Sequence, residues 1–164
     1  MAIHTPDVFH NTIGVASCIC ATADTIGVGA EQNVPIELVG TTSDALTPKN
    51  IKTSTTQIKL TSSWLGYYFV QFNATASGGT DKIWELLPYK SDVALGYGNV
   101  KFYQQNISGT RTPYYEISSN FIVKMQKDDD ITFWVQMISA ENETDLIFYN
   151  LNASIYQLEQ VGVH

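Results

Sequence analysis

Three consecutive aspartates, Asp128, Asp129 and Asp130, lie between two runs of alternating apolar residues in the stretch 121–138, FIVKMQKDDDITFWVQMI. Clustered carboxylates could hold Ca²⁺, which prefers oxygen ligands. Three adjacent side chains cannot all face one ion, and the spacing is not that of an EF-hand loop. Asp128 and Asp130 are the candidate ligands. The alternative is a solvated hairpin tip, which predicts that Asp129→Asn changes stability little.

The three histidines offer little for acid–base chemistry. His4, His10 and His164 lie near the ends of the chain, and chain ends are poorly ordered unless they are tied down. A general base needs a fixed position beside its substrate. One arm histidine per subunit on a three-fold axis could bind a metal, and the alternative is a solvated or hydrogen-bonded histidine.

Two pairs of carboxylates could serve as the acid and base of a glycosidase: Glu85 with Glu116, and Glu143 with Asp145. Nothing in the sequence fixes the distance within either pair. The sequence also lacks a Gly-x-Ser-x-Gly nucleophile motif and a Gly-rich phosphate-binding loop. We therefore predict a non-enzymatic protein that needs no cofactor.

The stretch 97–115, YGNVKFYQQNISGTRTPYY, mixes aromatic and hydrogen-bonding residues more densely than the rest of the chain. Aromatic rings can stack on sugars while amide and guanidinium groups bond the hydroxyls. Tyr97, Tyr103, Arg111 and Tyr114 are therefore candidate glycan contacts. The alternative is a long connection whose aromatic residues lie in the core or in a subunit interface.

The composition favours the surface of a particle or an extracellular setting. Charged residues make up 15% of the chain, below the roughly 25% typical of soluble domains, and Ser, Thr and Asn replace them. The net charge of −7 argues against binding to nucleic acid or to anionic membranes, which attract basic patches. No signal sequence or transmembrane run is recognisable, so we expect synthesis in the host cytoplasm without a cleaved signal.

Apolar residues alternate with polar ones nearly everywhere, and turn residues bound each run. About nine short strands in 164 residues predict an all-β fold, an antiparallel sandwich or jelly roll. The predicted strands are 13–20, 34–39, 56–60, 67–73, 83–88, 100–104, 121–126, 131–138 and 151–158.

The alternation also assigns faces to two of the strands. The odd-numbered residues of 121–126 and of 131–138 are apolar and are expected to face the core. Trp134 then lies on the opposite, exposed face of its strand. An exposed aromatic residue among polar ones is typical of an interface, so we predict that this face contacts another subunit.

Three segments in order resemble the C1q/TNF-like jelly roll. They are WLGYYFVQFNATAS at 64–77, NFIVKMQKDDDITFWVQM at 120–137 and LNASIYQL at 151–158. Gly66 to Phe69 match the Gly-aromatic central strand of that family, and Trp134 matches the aromatic of a later strand. Lys127 and the aspartates match its turn, with Asp where the family usually has Gly. The resemblance covers roughly residues 55–158.

The resemblance implies a tight homotrimer in which an apolar, aromatic face packs against its neighbours. The interface residues that we predict on this basis are Tyr68, Phe69, Trp134 and Tyr156.

The first residues, MAIHTPDVFHNT, read as an extended arm, because Pro6 favours extended backbone around it and the alternation is absent. We predict an arm at 1–12 and a single jelly-roll domain at 13–164. Val8 and Phe9 would dock the arm onto a partner surface.

Together these features predict a virion structural protein at the particle surface, a trimeric capsid decoration or head-spike protein of a bacteriophage. Its partners would be other virion proteins such as the major capsid protein, and a host surface glycan. The alternatives are the receptor-binding tip of a tail fibre and a C1q-like carbohydrate-binding module.

Overall fold

The computed structural model describes residues 15–20, 24–26, 32–38, 51–53, 58–62, 64–78, 82–103, 114–139 and 146–160. Within these ranges every regular element is a β-strand. No helix in this part of the chain is long and apolar enough to cross a membrane.

The strands, in chain order, are β1 Val15–Cys20, β2 Asp24–Ile26, β3 Ile36–Glu37, β4 Ile51–Thr53, β5 Leu60–Ser62, β6 Gly66–Gly78, β7 Ile83–Lys90, β8 Val93–Ala94, β9 Val100–Tyr103, β10 Tyr114–Met125, β11 Asp130–Met137 and β12 Leu146–Gln160. All the pairs between these strands are antiparallel. The antiparallel sandwich that the alternation predicts is therefore confirmed.

The strands form two sheets. In the first sheet the order is β1-β12-β6-β10, with β2 also paired to β12. In the second sheet the order is β4-β5-β11-β7-β8, with β3 paired to β11 and β9 paired to β7. Strands that follow one another in the sequence therefore often belong to different sheets, and connections such as the one from β10 to β11 cross between them.

The core fills the space between the two sheets. Phe72 of β6 and Phe133 of β11 are both fully buried, and their ring centroids are 4.6 Å apart, so the two sheets touch directly through aromatic rings. Trp84 and Phe148 are buried in the same core. Burying each such side chain contributes about 1.5–3 kcal/mol.

The period-two pattern predicted the inward faces correctly. Phe121, Val123 and Met125 of β10 are buried, as are Ile131 and the other apolar odd-numbered residues of β11 up to Val135. The strand lengths were less predictable, because β6, β10 and β12 extend well beyond the predicted limits. The short strands β2, β4 and β8 had no sequence signal strong enough to predict them.

A two-residue turn joins β7 to β8. Its central residues, Ser91 and Asp92, both have positive φ, at 46° and 65°. Two-residue hairpins favour such turns because their twist matches that of the strands, and Asp tolerates the left-handed region better than most residues.

Candidate functional site

The three aspartates form a crossover between the sheets. β10 ends at Met125 in the first sheet, and β11 begins at Asp130 in the second. The two strands do not pair with each other, so the expected hairpin is wrong. Asp128 takes a positive φ of 67° at the bend, which Asp tolerates better than most residues.

Ser62, at the end of β5, clamps this turn. Its backbone N–H donates to Asp129 O at 2.8 Å, and its carbonyl accepts from Asp128 N at 2.9 Å. Its hydroxyl donates to Gln126 O and, at 3.2 Å, to Asp129 O. Ser62 is fully buried, so its backbone and hydroxyl groups hold the inner side of the turn.

Asp129 is integrated into the structure. Its Oδ2 accepts from Gln126 N at 2.8 Å and lies 3.3 Å from Lys90 Nζ, and its Oδ1 accepts from Ser91 Oγ at 3.2 Å. Burial pushes the pKa of Asp129 upward, but these hydrogen bonds and Lys90 outweigh it, so its pKa lies below the usual value. The prediction of a freely solvated tip is therefore wrong for this side chain.

The proposed calcium site has no geometric support. Asp130 forms an ion pair with Lys59, and Asp129 is bound as described, so the turn carboxylates are directed to different partners. Among the residues that the structure describes, no three His, Cys, Asp or Glu side chains come together in a way that could hold a metal ion. Asp128 and Asp130 thus do not converge as ligands.

The candidate catalytic groups are also separated. Glu85 is on β7 in the second sheet, whereas Glu116 is on β10 in the first sheet, on the outward face of its strand. The pair of Glu143 and Asp145 and the three histidines lie outside the described residues. Glu85 and Glu116 therefore do not form an acid–base pair of the glycosidase kind.

Two of the four predicted trimer contacts lie side by side. Phe69 of β6 and Tyr156 of β12 are register partners on the outward face of the first sheet, and their ring centroids are 6.1 Å apart. Tyr68 is different. It points into the core and is fully buried, and its hydroxyl donates to Trp64 O at 3.0 Å. Its side chain has no surface to offer to another subunit, so this prediction is wrong.

Sequence reasoning missed three residues of the same surface. Tyr67, Ile122 and Leu158 are exposed around Phe69 and Tyr156, and we call these five residues the apolar patch. Lys124 lies over the Tyr67 ring, with Nζ 5.8 Å from its centroid. The alternation could have identified Tyr67, because successive residues of a strand point to opposite faces. In the run Tyr67, Tyr68, Phe69, only the odd-numbered residues share the outward face.

A polar band follows the apolar patch along the same face. Gln71 and Asn120 are register partners, and so are Asn73 and Asn152 in the next outward row. Asn73 Oδ1 accepts from Ser118 Oγ at 2.9 Å. The outward face of the first sheet is thus apolar and aromatic at the end near the crossover turn, and uncharged but hydrogen-bonding in the middle.

Trp134 lies on the other side of the molecule. It belongs to β11 and projects from the outward face of the second sheet, where its ring stacks on Tyr89 of β7 with centroids 4.9 Å apart at 30°. It therefore does not share a face with Phe69 and Tyr156, and its place in a subunit contact stays a prediction. Both rings are half-buried.

The three candidate glycan contacts that the structure describes are not brought together. Tyr97 packs edge-on against Phe121, with centroids 6.0 Å apart. Tyr103 is exposed on β9 in the second sheet, and Tyr114 is exposed on β10 in the first. Arg111 lies outside the described residues, as do Val8 and Phe9 of the predicted docking arm.

No known family model matches this sequence, and no curated protein matches it. Solved structures do resemble it. The TNF protein Eiger from S. frugiperda is 11% identical, with 92% of this chain and 96% of that chain covered and a TM-score of 0.53. Murine APRIL is 9% identical over 89% of this chain and 99% of its own, with a TM-score of 0.60.

The globular domain of zebrafish complement 1qA is 12% identical, with 91% of this chain and 99% of that chain covered and a TM-score of 0.54. At such identities the likeness defines the fold, which is the TNF/C1q-like jelly roll. The fold class that the sequence predicts is therefore confirmed.

Proposed function

We propose that this chain is the non-enzymatic subunit of a homotrimer, and that the apolar patch on the first sheet forms the contact between subunits. The observation that carries the proposal is the patch itself. Tyr67, Ile122 and Leu158 are 39%, 56% and 51% exposed in the single chain. Clustered exposed apolar residues of this kind are typical of protein interfaces, and closed rotational symmetry buries such a patch repeatedly.

The surroundings of the patch fit a specific contact. Lys124, above Tyr67, gives it one charged edge, and the polar band of Gln71, Asn120 and Asn73 continues across the strands. An apolar centre bordered by hydrogen-bonding groups is the usual anatomy of an interface. A trimer is also what the sequence resemblance to the C1q/TNF-like family implies.

The test is light scattering on the purified chain and two matched variants. The wild type is expected at three times 18.2 kDa. Ile122→Arg, which places a charge in the patch, is expected to give monomers. Val93→Arg, at a position that is 66% exposed on β8 of the other sheet, is expected to remain trimeric. A monomeric wild type at micromolar concentration contradicts the proposal.

We further propose that the trimer is a virion structural protein of a bacteriophage, a capsid decoration or head-spike protein at the particle surface. What supports this is the sequence, with its low share of charged residues, its acidic net charge and the arm at 1–12. Val8 and Phe9 would dock onto another virion protein such as the major capsid protein, where burying Phe9 contributes about 1.5–3 kcal/mol.

Two experiments test the particle role. Gel quantification of purified particles is expected to show hundreds of copies, whereas a tail-fibre tip would be present in a handful. Deletion of residues 1–12 is expected to leave a folded trimer that no longer attaches to the particle, because three arms act together by avidity. A folded truncated trimer that attaches normally contradicts docking through the arm.

A further inference from the structure

We propose that the outward face of the second sheet binds neutral oligosaccharides, with Trp134 and Tyr89 as the stacking platform and Glu85, Gln136 and Asn99 as the hydrogen-bonding rim. This face lies on the opposite side of the molecule from the apolar patch. The site rests on its own geometry and does not require the proposed trimer.

The platform is held in place before any ligand arrives. Trp134 Nε1 donates to Thr132 Oγ1 at 3.0 Å, so the only polar atom of the indole is already satisfied, and the ring stacks on Tyr89. Leu87 is the register partner of Trp134 and is only 7% exposed although it is on the outward face, so a covered apolar side chain lies in the same row as Trp134. A rigid aromatic surface costs little entropy on binding.

A network of planar polar side chains begins one outward row from Trp134. Gln136 Nε2 donates to Glu85 Oε2 at 2.8 Å, and Asn99 Nδ2 donates to Glu85 Oε1 at 3.4 Å. A carboxylate has about four acceptor sites and each amide has two donors and an acceptor. These bonds therefore leave capacity to bind hydroxyl groups. The apolar C–H face of a sugar can rest on the rings while its hydroxyls meet this rim.

The charges on this face select the ligand class. Glu37 is the register partner of Trp134 on one side, and Glu85 lies in the adjacent row. Two lysines of this face lie beside carboxylates, because Lys59 pairs with Asp130 and Lys101 is the register partner of Glu85. A sialylated, sulfated or phosphorylated ligand would meet carboxylates next to the platform, so a neutral glycan fits best.

The face extends beyond one sugar ring. Tyr103 of β9 is the register partner of Ile83 of β7, and they are 56% and 39% exposed. Ile83 is four residues from Leu87 along β7, which is about 13 Å at the usual rise per residue. A second aromatic contact at this distance suits an oligosaccharide rather than a monosaccharide.

A protein partner is the competing occupant, since Trp and Tyr are enriched in binding hot spots. The pattern around the rings argues for sugar. On the first sheet the exposed apolar residues are contiguous, as a protein contact requires, whereas on the second sheet Glu85, Gln136 and Lys101 interrupt the path from Trp134 to Tyr103.

The test uses an array of neutral hexose and N-acetylhexosamine oligosaccharides beside sialylated and sulfated ones, followed by calorimetry on the best binder. Binding to neutral glycans is expected. Trp134→Ala and Glu85→Ala are each expected to weaken it at least about ten-fold, as loss of a stacking ring or of a bonded rim does. Trp64→Ala, at a ring that is 48% exposed outside this face, is the control and is expected to bind normally.

Tyr103→Ala is the variant that guards against misfolding, because the Tyr103 side chain is surface-exposed. Its loss is expected to weaken the binding of long glycans more than the binding of short ones. The proposal is overturned by absence of neutral-glycan binding, by preference for acidic glycans, or by unchanged affinity in folded Trp134→Ala and Glu85→Ala variants. It is also overturned if these variants lose a protein partner and no glycan. Light scattering of the same samples tests separately whether the protein is a trimer.

Discussion

At the scale of single residues, Asp129 shows how a carboxylate that reads as a solvated tip becomes a structural anchor. It links the crossover turn to the β7–β8 turn through Gln126 N, Lys90 and Ser91 Oγ. Lys90 and Ser91 could not be inferred as partners from the sequence, because they are nearly 40 residues away along the chain. The local pattern predicts a turn but not which groups close around it.

Asp129→Asn is therefore expected to lower the free energy of unfolding by about 1–2 kcal/mol, because an amide keeps only one of the two acceptor oxygens that Gln126 N and Ser91 Oγ use and the attraction to Lys90 is lost. Chemical denaturation at pH 7 measures the change. Asp128→Asn is the matched control, since Asn tolerates the positive φ there and removes the same charge from the turn. Equal stability of the two variants would contradict the anchoring role.

Asp129 also affects how the stability of the fold changes in acid. Its folded pKa is lowered from 3.8, so its stabilising contribution is present above the unfolded pKa and is lost as pH falls through the folded pKa. Between pH 4 and pH 2 the wild type is expected to lose more stability than Asp129→Asn does. Parallel denaturation curves for the two proteins over this range would show that Asp129 carries no such contribution.

Glu37 has the opposite effect on stability, because its pKa is raised rather than lowered. Burial, and then the nearby Asp92, raise its pKa above 4.5, which Lys59 offsets only partly. A raised carboxyl pKa means that the ionised form is destabilising in the folded state, and the penalty disappears as pH falls below the unfolded value. Glu37→Gln is expected to be more stable than the wild type at pH 7, with the difference closing near pH 4. Thermal melts at both pH values measure this, and a difference that does not vary with pH contradicts it.

At the scale of elements, the sequence could predict that strands exist but not how the turns between them are used. A turn between two alternating runs looks the same whether it joins a hairpin or crosses from one sheet to the other. For the aspartate turn the decision comes from Ser62, which is 64 residues before Gln126 in the chain. Long-range bonds of this kind also explain why β6, β10 and β12 extend beyond their apolar runs, since each strand pairs along the full length of a neighbour.

The loop after β8 depends on a glycine for two separate reasons. Gly98 has a φ of +76°, and a Cβ there would lie 2.6 Å from Phe121 Cδ1 and 3.1 Å from Pro88 Cγ. Gly98→Ala is expected to cost about 2–4 kcal/mol of unfolding free energy, combining left-handed strain with overpacking. Gly96→Ala measures the left-handed strain alone, because Gly96 has a φ of +73° but no atom lies within 4 Å of a Cβ placed there. It is expected to cost about 1 kcal/mol of unfolding free energy. Denaturant unfolding measures both, and equal losses would show that the contact with Phe121 relaxes freely.

At the scale of the whole molecule, the sandwich presents two outward faces of different character. The alternation predicted that Trp134 faces outward, and the family resemblance placed it in an interface with Phe69. Neither could predict that the two residues belong to opposite sheets, because sheet membership depends on pairing between distant strands. The first sheet carries contiguous apolar side chains and the second carries an aromatic pair within a polar network. In the two proposals, assembly and ligand binding therefore use different faces, since a trimer formed through the first sheet would leave three copies of the second exposed.

If the native state is a trimer, its stability must depend on protein concentration. Three chains associate when the protein folds, so mass action raises the melting temperature as concentration rises. A hundred-fold increase in wild-type concentration is therefore expected to raise the midpoint by several degrees. Ile122→Arg is expected to melt lower and at a midpoint that does not change with concentration, because it removes association and leaves the buried core intact.

Gly98→Ala is the informative comparison for this experiment. It damages the subunit without touching the apolar patch, so it is expected to melt lower than the wild type but to keep the full dependence on concentration. Scanning calorimetry at several concentrations distinguishes the two kinds of damage. A wild-type midpoint that stays constant over a hundred-fold range would mean that the patch on the first sheet is not covered by other copies of this chain, since burial between subunits cannot stabilise the fold without a dependence on their concentration.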